Sequence, residues 1–309
     1  MPYRFSLEPY KGIKTRFICP NCQHKNKTFS RYIDTETGEY LNNNVGRCNR
    51  ENSCGYHYSP KEYFRDKNIL PKYNVDCSKQ KIVLPEDRPA SFVPFHIFKE
   101  SLTAYNENNF IKFLIKLFGT EITNDLTGKY FIGTSSYWPG STVFWQIDIS
   151  RKIRTGKIML YNSFTGSRLK KPFTCIQWMH KANKIAQFNL RQCLFGEHLL
   201  NDQTKSIAIV ESEKTAIIAS KYIPEYIWLA SGGINNINEQ NCNILKNKKV
   251  IFFPDIGGYK KWNDQLNKLS NSLNFSVSNL LEISCGKYNL EIGDDIADYL
   301  IKNCYHTND

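Results

Sequence analysis

The sequence predicts a chain of α/β class, α+β overall, with a cysteine-rich finger at its start, a basic α+β subdomain in the middle and a Rossmann-like parallel sheet at its C-terminal end. Three observations predict it. Four of the ten cysteines lie early in the chain, as Cys19-Pro20-Asn21-Cys22 and Cys48 to Cys54. A run of cations follows in the middle. Two apolar, β-branched runs, Ile207–Val210 and Val250–Phe253, then each end in an acid and a turn ahead of a helical pattern, as strands of an open parallel sheet do.

At 309 residues, 41% of them hydrophobic, the chain has room for two or three small domains with cores. We expect residues 1–65 as the finger, 66–94 as a linker, 95–203 as the basic subdomain and 204–309 as the sheet domain. Forty-one Lys+Arg against 29 Asp+Glu give a net charge of +12, which suits a polyanionic partner. No charged leader precedes an apolar core, and no run reaches the length of a membrane span, so a cytoplasmic protein without a membrane partner is expected. Cys77, Cys175, Cys193, Cys242, Cys285 and Cys304 are scattered, which fits a reducing compartment.

Residues 1–16 read as basic and irregular. Lys27–Ile33 has strand composition and Glu36-Thr37-Gly38 reads as a turn. Two cysteine pairs flanking a hairpin-length segment can close a tetrahedral shell of thiolates around Zn²⁺, so Cys19, Cys22, Cys48 and Cys54 are the expected ligands. His24 and His57 lie close enough in sequence to compete. So short a segment has little core, and the metal would supply much of its folding energy.

Residues 66–94, rich in Lys, Pro and polar residues, give the linker. Phe110, Ile111, Phe113, Leu114, Leu117 and Phe118 recur at helical spacing over Asn109–Phe118, and Gly119 ends the helix. Thr142–Ile149 alternates as a strand. Arg151, Lys152, Arg154, Lys157, Arg168, Lys170 and Lys171 follow, with Trp145, Tyr161, Phe164 and Trp178 nearby. Cations track phosphates and aromatic faces stack on unpaired bases, so these seven cations are the expected nucleic-acid contacts; a solvated hairpin face would read alike. His180 and His198 have no identifiable partner and read as structural.

In the C-terminal part, Ile207–Val210 is a buried strand ending at Glu211, with Ser212 placed to cap the following helix. Tyr226–Ala230 is a strand closed by Ser231-Gly232-Gly233. Val250–Phe253 is a strand leading to Pro254-Asp255-Ile256-Gly257-Gly258, and a helix follows over Tyr259–Leu273 with Trp262, Leu266 and Leu269 on one face. Val277–Ile283 reads as a fourth strand. Asp294, Asp295 and Asp298 stand where a last helix opens and suit its N-terminus. Carboxylates at the ends of neighbouring parallel strands can share a hard divalent cation.

These residues carry a resemblance. Val210-Glu211-Ser212-Glu213-Lys214-Thr215 resembles the first motif of the TOPRIM fold, and Phe253-Pro254-Asp255-Ile256-Gly257 its second, usually Asp-x-Asp. Cys19-Pro20, Lys27-Thr28-Phe29-Ser30, Cys48, Cys54 and Phe64 resemble the finger of bacterial-type primases. Phe144–Asp148, Thr165-Gly166-Ser167-Arg168 and Leu194-Phe195-Gly196 resemble segments of the primase core. Gly293–Leu300 resembles a motif closing TOPRIM domains of phage and mobile-element primases. The resemblance implies a zinc finger, a Glu at 211 acting as general acid/base, and Mg²⁺ or Mn²⁺ held by Glu211 and Asp255, with Asp295 and Asp298 as supplements. Gly257 stands where the family has its second Asp.

The resemblance implies an enzyme that synthesises short primers on single-stranded DNA from nucleotides, with a replicative helicase as a further partner. The alternatives are a catalytically degenerate single-strand binding accessory protein of a mobile element, or a divergent TOPRIM nuclease. A topoisomerase would need a further domain bearing a nucleophilic Tyr.

Overall fold

The computed structural model describes residues 4–50, 53–67, 89–170, 174–202, 204–269 and 274–304, and of Cys304 only the backbone. The chain divides into two compact units, 1–84 and 85–309. Of the expected linker, residues 68–88 lie outside the described residues, as does Cys77. Residues 91–93 run along the second unit: the Ser91 N–H donates to Asn189 O at 3.0 Å and the Val93 N–H to Ile153 O at 2.8 Å.

The first unit is an antiparallel sheet of β1 (Phe5–Leu7), β2 (Phe29–Asp34), β3 (Gly46–Cys48) and β4 (His57–Tyr58), in chain order. The stretch 1–16 is thus not wholly irregular, because β1 pairs with β2. The turn after β2 needs Gly38 at φ +76°. Helix α1 (Pro60–Asp66) starts with a capping box between Ser59 and Glu62. The core cluster is Cys19, Phe29 and Cys48, with Phe17, Cys22, Cys54 and Tyr56 around them, and Val45 is fully buried as well.

The second unit opens with α2 (Phe95–Ser101), α3 (Asn109–Phe118) and α4 (Thr120–Tyr130). Asn108 caps α3: its Oδ1 accepts from the N–H groups of Phe110 and Ile111 at 3.0 and 3.2 Å. The same buried side chain donates to Gly133 O and accepts from Thr142 Oγ1, fixing the helix to the sheet beside it. That sheet is antiparallel, with order β5 (Gly133–Ser135), β6 (Ser141–Ile147), β7 (Ile153–Met159), β8 (Ile176–Trp178). A short helix, α5 (Met179–Ala182), follows.

The chain then builds a parallel sheet from β9 (Ser206–Val210), β10 (Tyr226–Ala230), β11 (Lys249–Phe252) and β12 (Asn274–Val277), in the order β10-β9-β11-β12. Its helices are α6 (Glu213–Tyr222), α7 (Glu239–Cys242), α8 (Tyr259–Leu266), α9 (Leu280–Ser284) and α10 (Ile296–Cys304). Alternate residues serve opposite faces. Ala208, Val210, Trp228 and Ala230 pack with α6 and α10, whereas Ile207, Ile209, Leu229 and Phe252 pack with Trp262 and Leu266. The first of these cores continues without a break into Phe110, Leu114, Tyr130 and Phe144 of the antiparallel part. A third core lies on the far side of β6, around Val143, Trp145, Ile158 and Met179.

The observed elements agree with the expected class, a finger, an antiparallel α+β part and a parallel sheet of the kind the TOPRIM resemblance implies. Four further local expectations change. The expected strand over Val277–Ile283 ends at Val277 and gives way to α9, because Leu281 and Ser284, three apart, face inward while Ile283 is 60% exposed. Ser212 sits at the N-cap of α6, but its side chain accepts no capping hydrogen bond. Helix α8 ends at Leu266, and 270–273 lie outside the described residues. Of the expected basic sheet, the stretch between Ile153 and Met159 alone is a long strand, and it is largely buried.

Gly156 shows how closely β7 is covered. A Cβ built there would lie 2.7 Å from Met179 Cγ and Val143 Cγ1 and 2.8 Å from Trp145 Cε3. Gly156→Val is therefore expected to destabilise the second unit by roughly 1–3 kcal/mol, read as a lower midpoint in urea unfolding with the slope unchanged.

Candidate functional site

Two sites take shape, one in each unit. In the first, the Sγ atoms of Cys19, Cys22, Cys48 and Cys54 all lie within 4.8 Å of one another. The Cys19–Cys54 separation is 3.7 Å, close to the ~3.8 Å edge of a tetrahedron with Zn–S bonds of ~2.3 Å. Local geometry brings the four together. The Gln23 N–H closes the first knuckle onto Cys19 O at 3.1 Å, and the Cys54 N–H closes the second onto Arg50 O at 2.8 Å. Thr28, Asn21 and Arg50 reach the sulfurs of Cys48, Cys54 and Cys22 at 3.6–3.7 Å. Burial pushes the Cys19 thiol up to about 11. The Tyr56 backbone N–H, then Asn21, draw Cys54 down to about 6. The looser five-residue spacing of the second pair is no obstacle. His24 and His57 stay out of the cluster: His24 Nδ1 accepts from the Asn26 N–H, and His57 hydrogen-bonds and stacks on Tyr32. The donor set suits a closed structural zinc site.

The second site lies at the carboxyl end of the parallel sheet. Glu211 follows β9 directly and Asp255 follows β11 by two residues. Among the described residues, no hydrogen bond or ion pair engages either carboxylate. The Gly232 N–H donates to Glu211 O at 2.8 Å, so the glycine turn after β10 closes beside Glu211. Gly257, at φ +86°, turns the chain beyond Asp255, and its N–H is held at 2.9 Å by the carboxylate of Glu282.

Backbone pairing brings in the acids from the end of the chain. The Ile256 N–H donates to Asp294 O and the Gly293 N–H to Ile256 O, both at 3.0 Å. Asp295 is thereby set beside Asp255. Asp295 Oδ1 caps α10 through the N–H groups of Ala297 and Asp298, and Oδ2 accepts from Thr215 Oγ1 at 2.5 Å. Asp298 accepts from the Asp295 N–H and lies 3.9 Å from Lys214 Nζ. Burial, followed by repulsion from Asp295, Glu211 and Asp298, pushes the Asp255 carboxyl up to about 8 against a weaker pull from Lys214. Asp298 is raised for related reasons, burial and then Asp295. No three of these carboxylates, among the described residues, converge as tightly as the cysteines do.

Behind the acids lies a residue pair that sequence reasoning did not single out. Lys157 Nζ reaches from β7 to both Glu213 oxygens, at 3.0 and 3.2 Å, and both residues are buried. Tyr161 sits nearby and fully buried, its hydroxyl raised by burial and then by Glu213 and Asp295, against Arg168. The alternation of β7 signals that Lys157 faces inward, but its partner is visible only in three dimensions.

The seven expected nucleic-acid contacts do not share one face. Arg151, Lys152 and Arg154 gather at the β6–β7 turn. Arg154 pairs with Asp148 at 2.7 Å, and both Lys152 and Arg154 lie 4.9 Å over Phe92. Lys157 is engaged by Glu213. Arg168 and Lys170 are exposed beyond the other end of β7, and Lys171 lies outside the described residues. Trp145 and Tyr161 are core residues, whereas Phe164 is 72% exposed with Lys116 Nζ 5.5 Å over its ring. His180 accepts or donates a hydrogen bond with Thr155 and stacks on Phe188; His198 is buried with Nε2 at 3.0 Å from Lys129 O.

Comparison with known proteins finds two families along the chain. Residues 3–69 match a family described as a zinc beta-ribbon finger. Residues 108–256 match a domain of unknown function (DUF6371). No curated protein matches the chain. Among solved structures, the primase fragment of the bacteriophage T7 primase-helicase protein is similar at 15% identity and a TM-score of 0.41, over 94% of this chain and 95% of that one.

Two outcomes follow from the geometry. The protein should carry about one zinc per chain, and Cys19→Ser or Cys48→Ser should lose it and open the first unit to limited protease, with zinc read by atomic absorption. The folded pKa of Asp255 is raised, from 3.8 to about 8. Its contribution is thus fullest below pH ~4 and is lost as pH rises toward 8. Without divalent cations, Asp255→Asn should melt above wild type at pH 8, by roughly 3 °C or more for each ~1 kcal/mol relieved, with the gap closing near pH 4.

Proposed function

We propose that the protein is a primase-like enzyme that binds single-stranded DNA and joins nucleotides into short primers at the acidic end of its parallel sheet. The observation that carries the reading is the pair of unengaged carboxylates, Glu211 and Asp255, held at neighbouring strand ends against two further acids. Oxygen donors under mutual repulsion suit a hard dication. Mg²⁺ uses one or two carboxylates and keeps its remaining positions for water and phosphate oxygens, so a loosely spread donor set fits. Mn²⁺ would fit the same donors.

When bound, the cation would supply charge neutralisation to the phosphates. Asp255 would hold it, with Asp295 and Asp298 as supplements. Glu211 would act as a ligand or as general acid/base, accepting the proton of an attacking hydroxyl. Lys214 moderates the acids without neutralising them. Exposed Arg168 and Lys170, with Phe164 and Lys116, offer cations and one aromatic face to a single strand. The finger supplies a second, separately folded surface for the template.

A second reading has its own observation. Gly257 replaces an acid, and both carboxylate oxygens of Asp295 already hold hydrogen bonds. A protein that keeps strand binding but has lost catalysis would look like this, and would act as an accessory to replication or mobilisation.

Primer synthesis with zinc-loaded protein, single-stranded templates, labelled nucleotides and Mg²⁺ or Mn²⁺ tests the proposal. Wild type should make primers, and Glu211→Gln and Asp255→Asn should each reduce synthesis by at least ~10²-fold, as loss of a general acid/base does. Undiminished strand binding with no synthesis in all three proteins favours the second reading. Loss of labelled template indicates a nuclease.

A further inference from the structure

A cavity of about 480 Å³ opens in the second unit, beside the β6–β7 turn. Neither Glu211, Asp255, Asp295 nor Asp298 lines it. Its size falls within the range of small-ligand pockets. Lys152, Arg154 and Arg191 line it, together with Glu197 and the amides of Gln192, Gln240 and Asn241.

Two of these cations are held in place, Lys152 without an ion pair among the described residues and Arg154 paired with Asp148 through Nε. Lys152 and Arg154 both lie 4.9 Å from the centre of the Phe92 ring, a contact that fixes them while leaving N–H groups for a ligand. Both nearby acids already hold hydrogen bonds. Asp148 accepts from the Lys152 backbone N–H at 2.9 Å and from Arg154 Nε at 2.7 Å. The oxygens of Glu197 accept from the backbone N–H groups of Ile149 and Leu194, each at 3.2 Å. No carboxylate among the described residues pairs with Lys152.

The amides are ordered as well. Gln192 Oε1 accepts from Gln146 at 2.9 Å, which leaves its NH₂ to donate. Asn241 donates to Asn236 O at 2.9 Å, which leaves its carbonyl oxygen to accept. A donor and an acceptor on planar amides match the edge of a heteroaromatic base. Inorganic phosphate would satisfy the cations and leave the amides unused.

We propose that this cavity binds a free nucleotide, with its phosphates on Lys152 and Arg154 and its base edge on Gln192 and Asn241. The proposal stands apart from the catalytic reading, since it uses none of the same residues and needs no divalent cation.

Isothermal titration of the zinc-loaded full chain, without added divalent cation, tests it with the four ribonucleoside triphosphates and with inorganic phosphate. At least one nucleotide should bind saturably and more tightly than phosphate. Lys152→Glu, at an exposed position, and Gln192→Ala should each weaken that binding about tenfold, with circular dichroism confirming their fold, while Asp255→Asn should bind as wild type. The proposal is overturned if no nucleotide binds saturably, if phosphate binds as tightly as any nucleotide, if both pocket variants bind as wild type, or if Asp255→Asn abolishes binding. A single-stranded oligonucleotide that binds in a Lys152-dependent way where free nucleotides do not would equally overturn it.

Discussion

A single buried charge pair joins the two sheets of the second unit. Lys157 from β7 and Glu213 from the first turn of α6 meet in the interior, where neither could remain ionised and unpaired without a large cost. Such a pair adds little net stability compared with apolar residues of the same size, but losing one partner strands the other. Its consequence is positional. Glu213 is two residues beyond Glu211, so anchoring it fixes the first turn of α6 and the backbone from which Glu211 projects. The glycine turn after β10 can close on that backbone because Gly232 stands at φ +71°, in the left-handed region that a side chain would strain.

The acidic end of the sheet is assembled by backbone, and its electrostatics follow. The exchange between Ile256 and Gly293–Asp294 ties the turn after β11 to the start of α10. Thr215 then fixes Asp295 from α6. The end of β9 and the start of α10, distant in sequence, thus place their acids against Asp255, and burial together with their repulsion raises its pKa to about 8. An array of that kind is under electrostatic tension until a cation relieves it, which is how a site can favour a dication without a rigid cage. Glu282 occupies the space before the Gly257 N–H, so an acid bridges the turn where an Asp at 257 would have stood.

The first unit solves a different problem. Four buried apolar side chains among the described residues, two of them cysteines, make a core too small to hold a sheet together. Metal bonds would take the place of apolar burial there, and the sulfurs are already within 4.8 Å of one another. The second unit needs no such aid, since its largest core runs continuously from α3 through the parallel sheet to α10.

The sequence by itself determined the local features. Strand composition placed β9, β10 and β11 to within a residue, helical spacing placed α3, and cysteine pairing named the four sulfurs that meet. These depend on period, side-chain type and short spacing, all local quantities. It also named Glu211 and Asp255 as strand-end acids. Tertiary structure decided the rest. Whether Lys157 served a phosphate or a carboxylate depended on Glu213, 56 residues away. Whether Asp295 capped a helix or also stood beside Asp255 depended on where Ile256 lay, and it does both. Trp145 and Tyr161 were drawn into cores because the sheet is covered on both faces, and the cations around them were divided between the two ends of β7. Charge and aromaticity are properties of a residue, but partner and exposure belong to the packed chain, and only packing assigns them.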